Sequence, residues 1–357
     1  MKIKFIYTIV VFVTLASILL STCRQQEIDV TKVILNESEL NLNIGETAEL
    51  IAIIQPDNAT NHNIKWTSSN INVATVNEGI VYAKTAGTVT ITVITESNNH
   101  SASCTVFVSF PILRIVQLCD PQLGFGVFNN DVENLEKAVS LINDLELDIV
   151  LLAGDMVHSF TNEQDVFMFK NIMTHVASPI LLTPGNHDMC DAPFNYFTME
   201  GLERFRKYFG DDRSKIECKG YCIISANSHL WWTEVPQELV DIHDNWLINT
   251  LQQSKNNEQP VILLTHIPPF ISFVDENDGY SNIPKVKRKE LLKLCEDKGV
   301  ILWLSGHTHT TFQNDYKGIA LLNGETTSHN FDNRPLGFRL LTLFSPSNFE
   351  WKFIALQ

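Results

Sequence analysis

The hydrophobic period of this chain changes near residue 110, and the change predicts two different folds in one polypeptide. Residues 33–108 alternate apolar and polar side chains with a period of two, and turn signals such as "QPDN" and "NEG" interrupt the alternation. That pattern is typical of half-buried β-strands. Beyond residue 111, apolar runs alternate with segments of helical period, which predicts a layered α/β domain.

The N-terminal region, residues 33–109, is predicted to be an all-β sandwich, because about seven short strands are expected in it. Its stretch "IKWTSSNINVATVNEGIVYAKTAGTVTITV" resembles the bacterial Ig-like group 2 domain. No cluster of titratable side chains is visible there. We therefore expect this region to act as a spacer or adhesion module rather than in catalysis.

The C-terminal region begins with a predicted strand at 112–119. A helix follows, for which Asn130 and Glu133 form a capping-box pattern. Further strands are predicted at "IVLLAGD", "PILLTPG", "YCIISAN", "VILLTH" and "VILWLSG", and the last 40 residues are predicted to be mostly β. The intervening helices are predicted near residues 162–176, 199–208, 237–254 and 284–297. This order predicts helices that cover the faces of a sheet.

The N-terminus is predicted to be an export signal. The chain opens "MKIK" and continues with an apolar run from Phe5 to Leu20, which is too short to span a bilayer but suits a signal peptide. The following "LSTC" resembles the lipobox of bacterial lipoproteins, which implies processing at 1–23, lipidation of Cys23, a location in the bacterial cell envelope and a tether at 24–32. A soluble exported protein or an uncleaved anchor remains the alternative.

Composition limits the classes of partner. The chain is 44% hydrophobic and 19% charged, which is typical of a globular protein, and its formal net charge is −15. Nucleic acid is therefore not an expected partner, because such binding depends on Lys and Arg. A phosphorylated substrate is not excluded. Besides Cys23 there are six cysteines; Cys218 and Cys222 are close in sequence, but buried free thiols are expected.

Polar side chains follow five of the predicted strands at the point where each strand ends. They are Asp120 and Gln122 after the first strand, Asp155 in "LAGDMV", Asn186 and His187 in "PGNHD", His266 in "LTHIPP", and His307 with His309 in "SGHTH". Ligands of open α/β sheets bind outside the carboxyl ends of the strands, so these groups are expected to converge on one site. Mixed nitrogen and oxygen donors without thiolate suit Mn, Fe or Zn.

The ordered motifs D-x-Q, GD, GNHD, H and GHTH resemble the calcineurin-like metallophosphoesterases over residues 112–357. Gln122 departs from the pattern, because most of the family has histidine there. The Asp-Pro-Gln version, with "HIPPF" and "SGHTH", resembles the branch of calcineurin-like phosphoesterase domain-containing proteins. The implied fold is a layered sheet and helix domain of the metallophosphoesterase type behind an Ig-like sandwich.

The resemblance implies a role for each candidate residue. Two divalent ions, of Mn, Fe or Zn, are implied as cofactors, with Asp155 bridging them. Their other ligands are Asp120, Gln122 and His309 for one ion, and Asn186, His266 and His307 for the other. His187 would protonate the leaving alkoxide, and Asp188 would orient the imidazole of His187. Whether the amide of Gln122 binds metal directly or through water stays open.

The predicted function is metal-dependent hydrolysis of a phosphorylated substrate, with phosphomonoesterase or protein-phosphatase-like activity favoured. Phosphodiesterase activity is one alternative, because that choice depends on loops around the site. A non-catalytic binding or adhesion protein of the envelope, with a degenerate site, is the other. The membrane is an expected partner through the lipid anchor.

Several other segments were ambiguous from sequence. His158 could line the pocket or make local hydrogen bonds, and the pair Trp231 and Trp232 could shape a substrate pocket or pack in the core. The basic run "KVKRK" is expected to be the solvated opening of a helix. The acidic residues before it, Asp275, Glu276 and Asp278, are expected to form a solvated loop.

Overall fold

The computed structural model describes residues 27–356, which divide into two compact units. The first unit comprises the described residues up to Leu40 together with Thr47–Tyr82 and Thr88–Phe107. The second comprises Asn41–Glu46, Ala83–Gly87 and the chain from Val108 onward. The predicted signal segment and Cys23 lie outside the described residues. Within residues 27–356, no helix is long and apolar enough to cross a membrane.

The region before residue 110 is all β, as its period of two predicts. Its strands are β1 (Lys32–Leu35), β2 (Glu39–Asn43), β3 (Thr47–Glu49), β4 (Ala52–Gln55), β5 (Ile64–Ser68), β6 (Ala74–Asn77), β7 (Ile80–Ala83), β8 (Gly87–Thr95) and β9 (Ser101–Ser109). They form sheets of order β1-β4, β2-β9-β8-β5 and β3-β7-β6. The strands outnumber the seven expected because turns divide the pattern into pieces as short as three residues.

The C-terminal region alternates strands with helices, which confirms the predicted order. Its strands are β10 (Leu113–Leu118), β11 (Ile149–Leu152), β12 (Ile180–Leu182), β13 (Ser214–Cys218), β14 (Tyr221–Ser225), β15 (Val261–Leu264), β16 (Val300–Ser305), β17 (Phe312–Tyr316), β18 (Ile319–Asn323), β19 (Gly337–Ser345) and β20 (Asn348–Ala355). Its helices are α1 (Phe128–Asn143), α2 (Glu163–Met173), α3 (Met199–Phe209), α4 (His229–Trp232), α5 (Gln237–Asn256) and α6 (Lys285–Lys298).

Two sheets organise this region. The first has the order β12-β11-β10-β19-β20 and the second has the order β13-β14-β15-β16-β18-β17. Strands β10, β11 and β12 are parallel, and so are β14, β15, β16 and β18. Parallel neighbours present their carboxyl ends at the same edge of a sheet, so residues that follow these strands come together.

Successive side chains of a strand point to opposite faces of its sheet, and the two faces of the first sheet belong to different apolar cores. On β10 and β11, Ile115 and Leu151 belong to a core shared with residues of the second sheet such as Ile262, whereas Val116 and Val150 belong to a core shared with α1, α2 and α3. A third core packs α5 and α6 against the second sheet. The two sheets therefore face each other, with a layer of helices on each outer side.

The start of α1 differs from the sequence prediction. The helix begins at Phe128, and Val127 precedes it without a side-chain hydrogen bond to the helix. Asn130 thus lies inside the first turn, and the predicted capping box is wrong. By contrast, the side-chain oxygen of Asn162 accepts hydrogen bonds from two backbone amides at the start of α2. Helix α1 is instead fixed by its apolar face, which packs in the core.

The cysteines of the described region are free thiols, as expected. Cys104, Cys119, Cys190, Cys222 and Cys295 are buried, and Cys218 is half-buried. The six described cysteines therefore contribute to packing and not to covalent cross-links.

Candidate metal centre

The seven predicted metal ligands all follow strands of the two sheets, and the structure brings them together. They are buried, with relative exposures of 0–6%. Asp120 and Gln122 follow β10, Asp155 follows β11, Asn186 follows β12, His266 follows β15, and His307 and His309 follow β16. Polar side chains that are buried to this extent require partners.

Five of these residues lie in left-handed backbone conformations. The φ angles are 48° for Asp120, 38° for Gln122, 51° for Asp155, 72° for His307 and 52° for His309. Each such conformation costs a non-glycine residue of order 1–3 kcal/mol and persists only where surrounding contacts enforce it. The chain is therefore strained at the position of the candidate ligands.

Two glycines next to the ligands make room for the carboxylates. A Cβ atom on Gly185 would overlap the carboxylate of Asp155, and a Cβ atom on Gly306 would overlap that of Asp120. The backbone amide of His307 donates to both carboxylate oxygens of Asp120 at 3.0 Å. The two acidic side chains thus pack directly against the backbone of neighbouring loops.

Each histidine among the ligands donates one ring N–H to a backbone carbonyl and turns its other ring nitrogen toward the cluster. The carbonyl partners are Ala153 for Nδ1 of His266 at 2.7 Å, Tyr280 for Nε2 of His307 at 2.8 Å, and His329 for Nδ1 of His309. A carbonyl can only accept, so these nitrogens carry the protons. The other ring nitrogens, Nε2 of His266, Nδ1 of His307 and Nε2 of His309, face the cluster and can serve as ligands when unprotonated.

The amide of Asn186 is oriented in the same way. Its Nδ2 donates to the carbonyl of Phe194 and to the hydroxyl of Tyr280, both at 3.1 Å. Its Oδ1 therefore faces inward and lies 3.0 Å from Nε2 of His266. The orientation leaves an oxygen, the better metal ligand, inside the cluster.

Asp155 is common to two groups of potential ligand atoms. Asp155, His266 and His307 form one group, and Asp120, Asp155 and His309 form the other. The ligand atoms of each group lie within 4.8 Å of one another. The arrangement can therefore hold two cations that share one carboxylate.

The electrostatics of the carboxyl groups favour bound cations. Burial raises the pKa of Asp120, and the carboxylate of Asp155 raises it further. Burial also opposes ionisation of Asp155, but without a bound cation the positive charge of protonated His266 and His187 holds its pKa well below its usual value. Two buried carboxyl groups placed side by side repel one another when both are ionised, unless positive charge lies between them.

The side chain of Gln122 gives a further test of whether these residues suit a metal ion. Its side chain is 1% exposed, and neither its Oε1 nor its Nε2 has a hydrogen-bond partner in the structure. A buried amide without partners is unusual in a folded protein and points to a ligand. Together with the carboxylate and imidazole donors, its oxygen fits the coordination preferences of divalent metal ions.

The partner of His187 differs from the one predicted. Its Nδ1 lies 2.9 Å from the carbonyl oxygen of His158. The carboxylate of Asp188 instead accepts hydrogen bonds from the backbone amides of Gly185 and Met156, both at 2.9 Å. The prediction that Asp188 orients His187 is wrong, because Asp188 folds back onto the loops that follow β11 and β12. A backbone carbonyl partner has no signal in the sequence.

The tryptophan pair divides between core and site. Trp231 is buried in the core of the second sheet, and its Nε1 donates to Asp244 at 2.7 Å. The ring of Trp232 contacts the rings of His307 and Tyr280, with centroids 5.3 and 5.1 Å apart. The core-packing alternative therefore holds for Trp231, whereas Trp232 lies against a proposed ligand.

The loop that carries Tyr280 is ordered by charged residues that were expected to be solvated. The carboxylate of Glu276 accepts hydrogen bonds from the backbone amides of Ile271 and Ser272, both at 2.8 Å. The guanidinium of Arg288 is buried and donates to the carbonyls of Val274, Glu276 and Ile283. The expectation of a solvated acidic loop and a solvated basic run is thus wrong for these two side chains.

Comparisons with known proteins agree with this geometry. The family profile of the calcineurin-like phosphoesterases matches residues 113–311, and that of the bacterial Ig-like domain (group 2) matches residues 29–106. The serine/threonine-protein phosphatase CPPED1 of Danio rerio is 28% identical over 230 residues, which are 58% of this chain and 73% of that protein. The Homo sapiens protein is 26% identical over 247 residues, 66% of this chain and 77% of that protein.

Solved structures share the fold at low sequence identity. A dimetal phosphatase from Danio rerio has a TM-score of 0.53 at 10% identity, over 69% of this chain and 97% of its own. The purple acid phosphatase PPD1 from yellow lupin seeds has a TM-score of 0.52 at 13% identity, over 92% of this chain and 67% of its own. The chain belongs to the calcineurin-like phosphoesterase family, with a bacterial Ig-like domain of group 2 before the phosphoesterase region, and it is a hydrolase of phosphoester bonds.

Proposed function

We propose that the protein is a metal-dependent phosphomonoesterase. The observation that carries the proposal is the pair of ligand groups that share Asp155. The proposed ligands are Asp120, Gln122 and His309 for one cation and Asn186, His266 and His307 for the other, with Asp155 between them. Two divalent ions of Mn, Fe or Zn would act as Lewis acids. They would also lower the pKa of water enough to supply a hydroxide nucleophile at neutral pH.

His187 is the proposed proton donor to the leaving oxygen. Its backbone amide donates to Asp155 at 2.9 Å, so the residue lies at the edge of the cluster without being one of the proposed ligands. Because the carbonyl of His158 holds a proton on Nδ1, the transferred proton comes from Nε2 of the imidazolium. Burial lowers the pKa of this ring, and the nearby carboxylate of Asp155 opposes that shift.

The favoured substrate class is a phosphomonoester, including phosphorylated protein side chains. The relatives that support this choice are serine/threonine-protein phosphatases. We also propose that the protein is exported and lipid-anchored at Cys23 in a bacterial envelope, which the lipobox-like "LSTC" supports. Recovery of the full chain in the membrane fraction tests the location.

The function is tested by replacing the shared carboxylate. Asp155→Asn removes the negative charge that both cations would share, so metal content should fall and hydrolysis of a chromogenic phosphomonoester with added Mn should drop by roughly two orders of magnitude or more. Asp297→Asn makes the same chemical change at an exposed ion pair with Lys293 and serves as the control. Metal per chain and kcat/KM are measured for all three proteins.

Near-normal turnover by Asp155→Asn with its metal retained would contradict the two-cation assignment. A wild-type protein that binds metal but hydrolyses neither phosphomonoesters nor phosphodiesters would instead support the binding-protein alternative. Faster hydrolysis of diesters than of monoesters would shift the assignment to a phosphodiesterase.

A further inference from the structure

Three rings that are not among the proposed ligands surround the imidazole of His187. The ring of Phe194 lies 3.9 Å from it, centroid to centroid, with an interplanar angle of 31°. The ring of His158 lies 4.8 Å away, and that of Phe125 lies 6.4 Å away and nearly edge-on. All three side chains are half-buried, so each keeps part of its surface open to solvent.

The backbone holds Phe194 in this place at a cost. Its φ angle is 62°, which is a rare conformation for a bulky residue and indicates that surrounding contacts enforce it. One such contact is the hydrogen bond from Nδ2 of Asn186 to the carbonyl of Phe194. The same loop therefore orients a proposed ligand through its backbone and places a phenyl ring against the proposed proton donor.

The position of the rings matters because of where the leaving group must lie. In hydrolysis of a phosphomonoester, a water oxygen forms a bond to phosphorus and the ester P–O bond breaks. The leaving oxygen takes the proton from Nε2 of His187, and the products are inorganic phosphate and an alcohol or phenol. Rings that lie beside His187 are therefore candidates to contact the part of the substrate attached to that oxygen.

We propose, on the basis of the function proposed above, that Phe125, His158 and Phe194 form a leaving-group subsite selective for aryl phosphomonoesters. Two of its rings are hydrocarbon. Burial and the neighbouring His187 lower the pKa of the third, His158, which favours its uncharged form. A surface of flat, uncharged rings binds an aromatic leaving group by offset or edge-to-face stacking. It has no charged group with which to bind a small polar leaving group.

The test compares phenyl phosphate with glycerol 2-phosphate as substrates of the Mn-loaded full-length protein. Phe194→Leu and Phe125→Leu should each raise KM for phenyl phosphate about 2- to 10-fold, the loss expected for one aromatic contact. KM for glycerol 2-phosphate should stay within about 2-fold. Leucine is as disfavoured as phenylalanine at a φ of 62° and keeps the carbonyl that Asn186 contacts, so the substitution at Phe194 removes only the ring.

Two further variants separate stacking from general damage. Phe194→Tyr keeps an aromatic ring and should leave KM for phenyl phosphate close to the wild-type value. Phe167, on α2, is 56% exposed, and its ring contacts that of Tyr208, with centroids 5.9 Å apart. Phe167→Leu removes a phenyl ring that is not part of the subsite, so it should leave KM for both substrates within about 2-fold of the wild-type value. Metal content and thermal unfolding are measured for each variant to confirm that the fold and the centre persist.

Equal effects of Phe194→Leu and Phe125→Leu on both substrates would overturn the subsite, because that result is expected of a purely structural role. A wild-type protein with equal kcat/KM for the two substrates would overturn it as well. Absence of hydrolysis of both substrates by the metal-loaded wild type would overturn the proposed function, and the subsite with it.

Discussion

At the scale of single residues, the amide of Gln122 bears directly on metal binding. Its amide is buried at the end of β10 and both of its polar atoms lack partners. Leaving such atoms unpaired costs about 1–3 kcal/mol, so the amide destabilises the fold unless a ligand binds it. We infer that its oxygen serves the cation site of Asp120 and His309.

Substitutions at Gln122 should therefore separate metal binding from stability. Gln122→Leu should lower the metal content of that one site, leave the site of Asn186, His266 and His307 occupied, and leave unchanged or raise the free energy of unfolding of the chelator-treated protein. Gln122→His should keep both metals, because imidazole is a strong ligand for divalent ions of this kind.

Metal content per chain, the Mn dependence of hydrolysis and denaturant unfolding are measured for both variants. If the leucine variant binds metal and turns over substrate like the wild type, Gln122 does not take part in the centre.

At the scale of elements, strand ends supply the ligands and the connections between elements orient them. The segment between β15 and α6 supplies the carbonyl of Tyr280, to which His307 donates. Arg288, on the first turns of α6, holds that segment through three carbonyls while it is fully buried. The guanidinium thus acts at a distance on the orientation of a proposed ligand.

Arg288→Lys tests this link. An ammonium cannot reproduce the planar array of donors, so buried carbonyls lose partners and the free energy of unfolding should fall by about 1–3 kcal/mol. The Mn concentration needed for half-maximal activity should rise, because His307 is less well oriented.

Denaturant unfolding and Mn titration of activity give the two readouts. Lys289→Met is the control: that lysine is exposed and pairs with Asp275 at the surface, so its loss should change stability by less than about 0.5 kcal/mol. If Arg288→Lys behaves like the control, the segment does not depend on the guanidinium.

At the scale of the whole molecule, the chemistry belongs to one of the two units. Every proposed ligand and the proposed proton donor lie beyond Val108, in the unit that contains both large sheets and their helices. Residues 27–107 contribute none of these side chains. The Ig-like region is therefore expected to be dispensable for hydrolysis of small substrates.

A chain that begins at Ser109 should fold, bind metal and keep kcat/KM for a small phosphomonoester within about 2-fold, because its apolar cores are its own. It also lacks Cys23, so it should partition into the aqueous phase of a detergent separation while the full chain enters the detergent phase. A soluble, metal-loaded but inactive product would show that the N-terminal region helps to form the site. Aqueous partition of the full chain would contradict the lipid anchor.

The sequence alone determined the order of strands and helices, the Ig-like and phosphoesterase families, and the set of residues that gathers at the strand ends. These properties are local, because hydrophobic period and motif can be read from neighbouring residues. Only the tertiary structure decided which groups orient that set. The carbonyl partner of His266 lies 113 residues away along the chain, and that of His309 lies 20 away. The roles of Asp188, Glu276 and Arg288 likewise do not follow from sequence, because a hydrogen bond to a backbone carbonyl or amide depends on how the chain packs and not on the identity of the residue that supplies it.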